Sequence, residues 1–338
     1  MIVLNPMVLE MKGQIDLEIH RLVAHPLLEE YPGLGEMLRF HFGWDGEGNG
    51  PDALGKRIRP LIVLLSCTAV GGNWNHALPA ATGVELLHNF SLIHDDIEDG
   101  SPLRHGRATL WNKWGQALAI NAGDALFTLA YAAIFDLNQT ISPGAAQEAI
   151  RIFNETCIRL TGGQHLDIAF ERERSISEGK YWQMIGGKTA ALLSACARLG
   201  ALIGGAPESQ IEFFGNFGTK LGLSFQVQDD WLGLWGNLAE TGKSSESDLV
   251  TGKKTLPVVF ALEKNSSFAK RWRQGPILSH EVSELSHLLI EEGAQAYTEG
   301  QATRLTREAL EALEMATGGS RSGAALKELA ETLLKRSR

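Results

Sequence analysis

The sequence predicts an all-α protein folded as one large domain over residues 1–338. Three observations carry that prediction. Apolar residues recur at helical spacing in long segments rich in Ala and Leu. Strict strand-type alternation is almost absent. The connections are short turns, too brief to be domain boundaries.

The helical segments run in order as IRPLIVLLSCTAV, AATGVELLHNFSLIHDDIED, INAGDALFTLAYAAIFDL, KTAALLSACARLGALIGG and IEFFGNFGTKLGLSFQVQDDWLG. Several are apolar on nearly every side, as helices inside a large bundle are. Gly, Pro and Asn in NWNHALP, NQTISPGAA and GGAPESQ punctuate them. The tail GGSRSGAALKELAETLLKRSR reads as a surface amphipathic helix after a flexible joint.

Hydrophobic residues make up 44 % of the chain and charged residues 21 %, an ordinary globular balance. A formal net charge of −9 argues against nucleic acid as the main partner. Cys67, Cys157 and Cys196 form no CxxC pair and read as buried small hydrophobes in a reducing compartment. The first twenty residues carry acids where a signal peptide needs an unbroken apolar run. No apolar stretch is expected to approach the roughly 20 residues that span a bilayer. A soluble, cytoplasmic protein is the expectation.

Two acid clusters stand out. In HDDIEDGSPLRHG, Asp95 and Asp99 are four apart and share a helix face, with Asp96 beside them. Like charges at that spacing destabilise a bare helix, so a counter-charge is required. A hard divalent cation such as Mg²⁺ suits oxygen ligands and is often completed by substrate phosphates. Asp229 and Asp230 form a second pair after another apolar run, and the two pairs could share metal ions across a bundle interior.

Metal-binding acids imply an anion, and cations surround both clusters. GKRIRP carries Lys56, Arg57 and Arg59, Arg104 and Arg107 follow the first cluster, and GGKT carries Lys188. Lys243, Lys253 and Lys254 follow the second cluster. Arginine grips phosphate oxygens bidentately, lysine as a point charge. The spacing GxxxxGK[ST] of nucleotide hydrolases is absent. A diphosphate carried on a greasy chain fits acids that terminate oily helices.

In these residues the chain resembles the trans-isoprenyl (polyprenyl) diphosphate synthases. The likeness runs over about residues 50–260 through GKRIRP, DDIED, GGQHLD, GGKT, FQVQDD and GKKTLP, in that order. The resemblance implies a single large helical bundle around a deep central cavity, the isoprenoid synthase type I fold. It also implies a homodimer and three Mg²⁺ ions. The implied reaction condenses isopentenyl diphosphate with an allylic diphosphate. Asp95, Asp99 and Asp229 would ligate the metals, supported by Asp96, Asp167 and Asp230. Arg104, Lys188, Lys243 and Lys253 would hold the allylic diphosphate. Lys56, Arg59 and His88 would hold isopentenyl diphosphate. Thr189, Gln226 and Gln164 would place oxygens near the cation.

Two positions depart from the family pattern. The second motif runs DDWLG, with Gly233 where an aspartate is usual, and His105 stands where a second arginine is usual. Either His105 or Arg107 would take that arginine's role. The family sets product length just upstream of its first motif. Bulky Phe90 beside small Ser91 suggests a floor of intermediate depth. That favours geranylgeranyl diphosphate, with farnesyl diphosphate second.

Three rivals remain. A class I terpene cyclase would need Ser or Thr where Leu234 stands and Glu where Leu238 stands. A di-iron carboxylate bundle would use Glu85/His88 and Glu284/His287, the ExxH spacing of that class. A non-catalytic regulatory subunit would explain the incomplete second motif.

Overall fold

The computed structural model describes residues 6–45, 55–236, 247–318 and 323–334. The described residues are helical almost throughout, and their strands are the two two-residue strands of one hairpin. The chain divides into two compact units, Ile2–Phe153 with Arg198–Glu208, and Asn154–Ala197 with Ser209–Arg338.

In the first unit, the helices that matter for function are α1 (Pro6–Val23), α3 (Pro32–His41), α4 (Ile58–Ala69), α5 (Leu78–Glu98) and α7 (Gln116–Phe135). Leu61 to Leu65 of α4 are buried without a gap, so this helix is apolar on every side, as its sequence predicts. Each fully buried leucine of this kind contributes about 1.5–3 kcal/mol over an exposed one. The start of α4 is unusual. Arg57, its N-cap, adopts a left-handed backbone with φ 53°. The strain is offset by the side chain, which is buried and paired with Asp16 of α1 and Glu85 of α5, both at 2.8 Å. One guanidinium thereby fixes three helices.

The expectation about membrane-spanning length needs correction. Gln116–Gln139, α7 with a following 3₁₀ turn, is long and apolar enough by composition to cross a membrane. Only Asp124 and Asp136 carry charge within it. Ala119, Ala122, Gly123, Leu126, Ala130, Ala133 and Ile134 are packed inside the unit, the pattern of a core helix. Leu118, Ile120 and Phe135 stay exposed, so α7 is not apolar-wrapped on every side.

After α5 the chain forms a hairpin, β1 (Leu103–Arg104) with β2 (Arg107–Ala108), which alternation rules do not reach because each strand has two residues. His105 and Gly106 make the two-residue turn with φ 49° and 76°. Positive φ at both positions is the I′ geometry that suits hairpin twist.

The second unit carries the end of α8 (Pro143–Glu171), α9 (Glu178–Ile185), the start of α10 (Ala191–Ile203) and most of α11 (Glu208–Trp235). Between α9 and α10, Gly186–Ala190 forms a π-helical turn. Such bulges re-aim side chains and recur at functional sites. Here the turn meets α8 at two glycines. A Cβ on Gly163 would lie 2.0 Å from the Lys188 nitrogen, and one on Gly187 would lie 2.7 Å from the Arg159 carbonyl oxygen. Backbone contact this close leaves no room for any side chain. Phe170, Tyr181, Ile185, Val227, Leu256 and Leu305 form the apolar cluster beneath the turn.

The carboxy-terminal amphipathic helix is present as Ala324–Leu334, with Leu326, Leu329, Ala330, Leu333 and Leu334 buried. The joint predicted before it falls on residues 319–322, outside the described residues.

Candidate active site

In the first unit, the acid cluster occupies the C-terminal end of α5. Asp95 is half-buried, Asp96 buried, and Glu98 and Asp99 exposed. Asp96 faces inward and accepts from Arg104, whose Nε and Nη2 both reach its Oδ1 at 2.8 Å. Asp96 is thus the anchor of the arginine, while Asp95 and Asp99 share the other face. Helix C-termini repel carboxylates, which raises the demand for a cation at this end.

The hairpin separates its two candidates for the missing arginine. Arg107 donates to the carbonyls of Phe40 and Asp45, at 2.8 and 3.4 Å, and lies over the Phe40 ring at 4.9 Å. It closes the end of α3. His105 is exposed at the turn tip, where a left-handed backbone is better tolerated by His than by bulky residues.

Lys56 is exposed, whereas Arg59 is half-buried and its Nη1 lies 2.9 Å from His88 Nε2. Arginine can only donate, so Nε2 accepts and the neutral ring carries its proton on Nδ1. Burial first, then the Arg59 charge, holds His88 well below the usual histidine range. Next to His88 on α5, Asn89 donates to the Glu85 backbone carbonyl at 2.8 Å and presents Oδ1 to His41 Nε2 at 3.0 Å. Burial pushes His41 down to about 4. His41 went unnoticed in the sequence, and Arg57, read there as a cation for phosphate, is instead paired with Asp16 and Glu85, partners tens of residues away.

Phe90 packs at a tilt between His94, at 4.6 Å, and Phe127 of α7, at 4.9 Å. Tyr131 continues the row at 5.2 Å from Phe127. Ser91 lies one helical turn before Asp95 on the same face and donates back to the His88 carbonyl at 2.7 Å.

In the second unit, the π turn brings the GGKT residues to α8 and α11. Lys188 Nζ contacts Asp167 of α8 at 2.5 Å. Thr189 Oγ1 donates to Gln226 Oε1 at 2.8 Å, and Gln226 Nε2 donates to Asp230 Oδ1 at 3.1 Å. Asp230 also accepts from the Tyr181 hydroxyl at 2.7 Å and the Leu256 amide at 2.8 Å. Burial pushes its carboxyl up to about 7, against the pull of those donors. Asp229, next in sequence, is exposed. The two acids therefore divide their work: Asp230 is held inside, Asp229 is offered outward.

Gln164 and Lys253 are half-buried, and Lys243 lies outside the described residues. Lys254, beside Lys253, is buried and donates to the Gly252 carbonyl at 2.8 Å.

Among the described residues no three His, Cys, Asp or Glu side chains converge into a metal cage. The donor set nonetheless fits Mg²⁺, which keeps its waters and uses one or two carboxylates with substrate phosphates. The di-iron reading fares worse. Glu85 is committed to Arg57 and His88 to Arg59, while His287 is exposed with Nδ1 at 2.7 Å from the Ser283 carbonyl. Leu234 is buried and apolar where a cyclase needs a hydroxyl ligand.

Comparison with known proteins assigns the family and the fold. The model of the polyprenyl synthetase family matches residues 51–285. A (2E,6E)-farnesyl diphosphate synthase of Mycobacterium tuberculosis is 40 % identical over 242 residues, covering 71 % of this chain and 66 % of the relative, just under two thirds of its length. A geranylgeranyl diphosphate synthase of Methanosarcina mazei is 36 % identical over 264 residues, covering 78 % of this chain and 81 % of the relative. The crystal structure of a geranylgeranyl pyrophosphate synthetase from Pyrococcus horikoshii superposes with TM-score 0.85 at 32 % identity, over 96 % of both chains. The all-α architecture is accordingly the isoprenyl synthase type I fold, and the chain belongs to the polyprenyl synthetase family.

Proposed function

We propose that this chain is a short-chain prenyltransferase that condenses isopentenyl diphosphate with an allylic diphosphate, giving geranylgeranyl diphosphate as its main product. The observation that carries the reading is the division between Asp230, clamped inside by three donors, and Asp229, exposed beside it. Relatives named for farnesyl and for geranylgeranyl products both match the chain, so farnesyl diphosphate is the alternative product.

The roles follow from the chemistry. The allylic C–O bond breaks, the isopentenyl double bond attacks the allylic carbon, and a proton leaves the product to the departing diphosphate. Asp95, Asp99 and Asp229 are the ligands assigned to Mg²⁺, which when bound neutralises charge on the diphosphate. Lys188, held by Asp167, donates to the diphosphate oxygen that gains charge as the bond breaks. Arg104, held by Asp96, and Lys243 and Lys253 add positive charge to the same group. Thr189 and Gln226, tied to each other and to Asp230, keep their oxygen dipoles fixed near the developing cation. Arg59, with neutral His88 accepting from it, and Lys56 bind isopentenyl diphosphate. His105 takes the place of the family's second arginine.

The single-domain organisation, the homodimer, the three-ion count and a cytoplasmic location belong to the same reading. Exposed Leu118, Ile120 and Phe135 on α7 support a self-association surface.

The test is incubation of the purified protein with Mg²⁺, isopentenyl diphosphate and each of dimethylallyl, geranyl and farnesyl diphosphate. A C20 product from at least one primer is expected. No product from any primer would favour the regulatory subunit instead.

A further inference from the structure

The hairpin that follows the first acid motif cannot hold its own shape. Its strands have two residues each, and an isolated hairpin is marginal at best in water. Its register also sets Arg104 directly opposite Arg107, and like charges in opposed positions repel. The hairpin therefore keeps its place through its anchors.

The base is tied to its own flanks. The Thr109 amide donates to the Pro102 carbonyl at 3.1 Å, and the Thr109 hydroxyl and Trp111 indole donate to the Ser101 carbonyl at 2.9 and 2.8 Å. Strand β1 is tied to α5 by Arg104 on Asp96. Strand β2 is tied to α3 by Arg107, whose Nη2 takes the Phe40 carbonyl in the last turn and the Asp45 carbonyl just beyond. The last carbonyls of a helix lack intrahelical donors, so a guanidinium suits them.

The landing place on α3 is itself fixed. Phe40 packs edge-on against Trp114 of α6 (Leu110–Trp114) at 5.0 Å, with Lys113 and Arg107 over its ring at 4.2 and 4.9 Å. His41, next in sequence, meets Asn89 of α5 at 3.0 Å, and Trp44 stacks on His20 of α1 at 3.5 Å. Arg107 thus joins a hairpin with little stability of its own to a platform that α1, α5 and α6 hold. Its guanidinium is turned to backbone oxygens and its Nε is buried.

We propose that Arg107 is a positioning residue for the diphosphate site. It braces β2 on α3, so that Arg104, opposite it on β1, stays on Asp96 and keeps one aim towards the allylic diphosphate. Arg107 itself does not touch the substrate. This rests on the prenyltransferase reading, in which Arg104 binds that diphosphate.

The experiment is steady-state kinetics of the full chain with Mg²⁺, isopentenyl diphosphate and whichever of dimethylallyl, geranyl and farnesyl diphosphate the wild type prefers, run as a double-mutant cycle. Arg107→Met should raise KM for the allylic diphosphate about tenfold, the lower end for losing a hydrogen bond made by a charged group. Arg104→Met should raise it at least as far. The double variant should be no worse than Arg104→Met alone, because the brace then has nothing to hold. Losses that multiply in the double variant would mean that Arg107 binds the diphosphate itself, and the proposal is overturned. An unchanged KM in Arg107→Met, with or without a lower melting point, overturns it too, since Arg107 is then structural only. If Arg107→Met does not fold, Arg107→Gln, which keeps a donor, takes its place in the cycle. It should raise KM by a smaller factor that disappears in the Arg104→Met background. If Arg107→Met fails these tests while the wild type makes product, the prenyltransferase reading stands without the brace. If the wild type makes no product from any primer, both fall.

Discussion

Tyr181 donates its hydroxyl to Asp230 at 2.7 Å, and that single bond ties α9 to α11 at the base of the second acid motif. Tyr181 is fully buried, and burial beside Asp230 holds its hydroxyl well above the ordinary tyrosine range, so it remains a donor. The Leu256 amide and Gln226 complete the carboxylate's shell. An acid enclosed in this way positions its exposed neighbour and the Gln226–Thr189 pair.

Tyr181→Phe keeps the ring packing and removes one donor. A hydrogen bond to a carboxylate in such a setting contributes about 1.5–3 kcal/mol, and leaving Asp230 short of a partner adds to the loss. The variant should therefore unfold at lower urea with a stability deficit in that range and an unchanged m-value. A deficit below about 0.5 kcal/mol would show that solvent replaces the hydroxyl and that Tyr181 is packing alone.

Arg57 makes a second prediction about stability. Its guanidinium is buried between Asp16 and Glu85 at 2.8 Å each, on a backbone with φ 53°. Removing one partner of a buried pair strands the others, at a cost of about 3–5 kcal/mol. Arg57→Met should show that loss in chemical denaturation. Adding Glu85→Met should recover part of it, since the stranded charge is then gone. Equal losses in the single and double variants would mean that the strain at residue 57, not the charge pair, sets the cost.

The limits of sequence reading are visible in these same residues. Helical period and the DDxxD spacing made α4, α5, α7, α11, Asp95 and Asp99 legible, because both signals are local and repeat within one turn. Asp229 and Asp230 were legible as a pair, and the order of their roles came with the family likeness. The partners were not legible. Tyr181 meets Asp230, and Arg57 meets Asp16 and Glu85, only after the chain has folded. Arg107 shows the same limit: beside an acid cluster it read as a substrate group, and its bond to the Phe40 carbonyl of α3 was not legible. Charge in sequence says that a partner is needed, not which one.

Acid sensitivity should trace to the histidines of the first unit. His41 titrates near 4 when folded against 6.5 when exposed, chiefly because burial disfavours its charged form. A folded-state value below the unfolded one means that the unfolded chain binds the proton more tightly. Stability from His41 is therefore complete above pH 6.5 and is lost as pH falls from 6.5 towards 4. At about 1.36 kcal/mol per pH unit, the loss approaches 3 kcal/mol. His88 acts in the same direction. Urea denaturation at pH 7 and pH 4.5 should show wild type losing more stability than His41→Gln. Parallel losses in the two proteins would assign the acid sensitivity elsewhere.

Product length provides the sharpest functional prediction. Phe90 does not stand alone: it rests on Phe127 at 4.9 Å, which rests on Tyr131 at 5.2 Å. Truncating Phe90 removes one ring of the row and leaves Phe127, Tyr131 and Phe153 in place. Phe90→Ala should therefore lengthen the main product by one or more five-carbon units, with Phe127 forming the new limit. Phe90→Ala with Phe127→Ala should lengthen it further and broaden the distribution, because only Tyr131 and Phe153, 5.2 Å apart, then continue the row. The cost in stability should be less than the roughly 3–5 kcal/mol of a fully buried Phe→Ala change, since Phe90 is only half-buried. Chromatography of the dephosphorylated products resolves these outcomes. An unchanged chain length in both variants would show that this aromatic row packs α5 against α7 and does not limit the product.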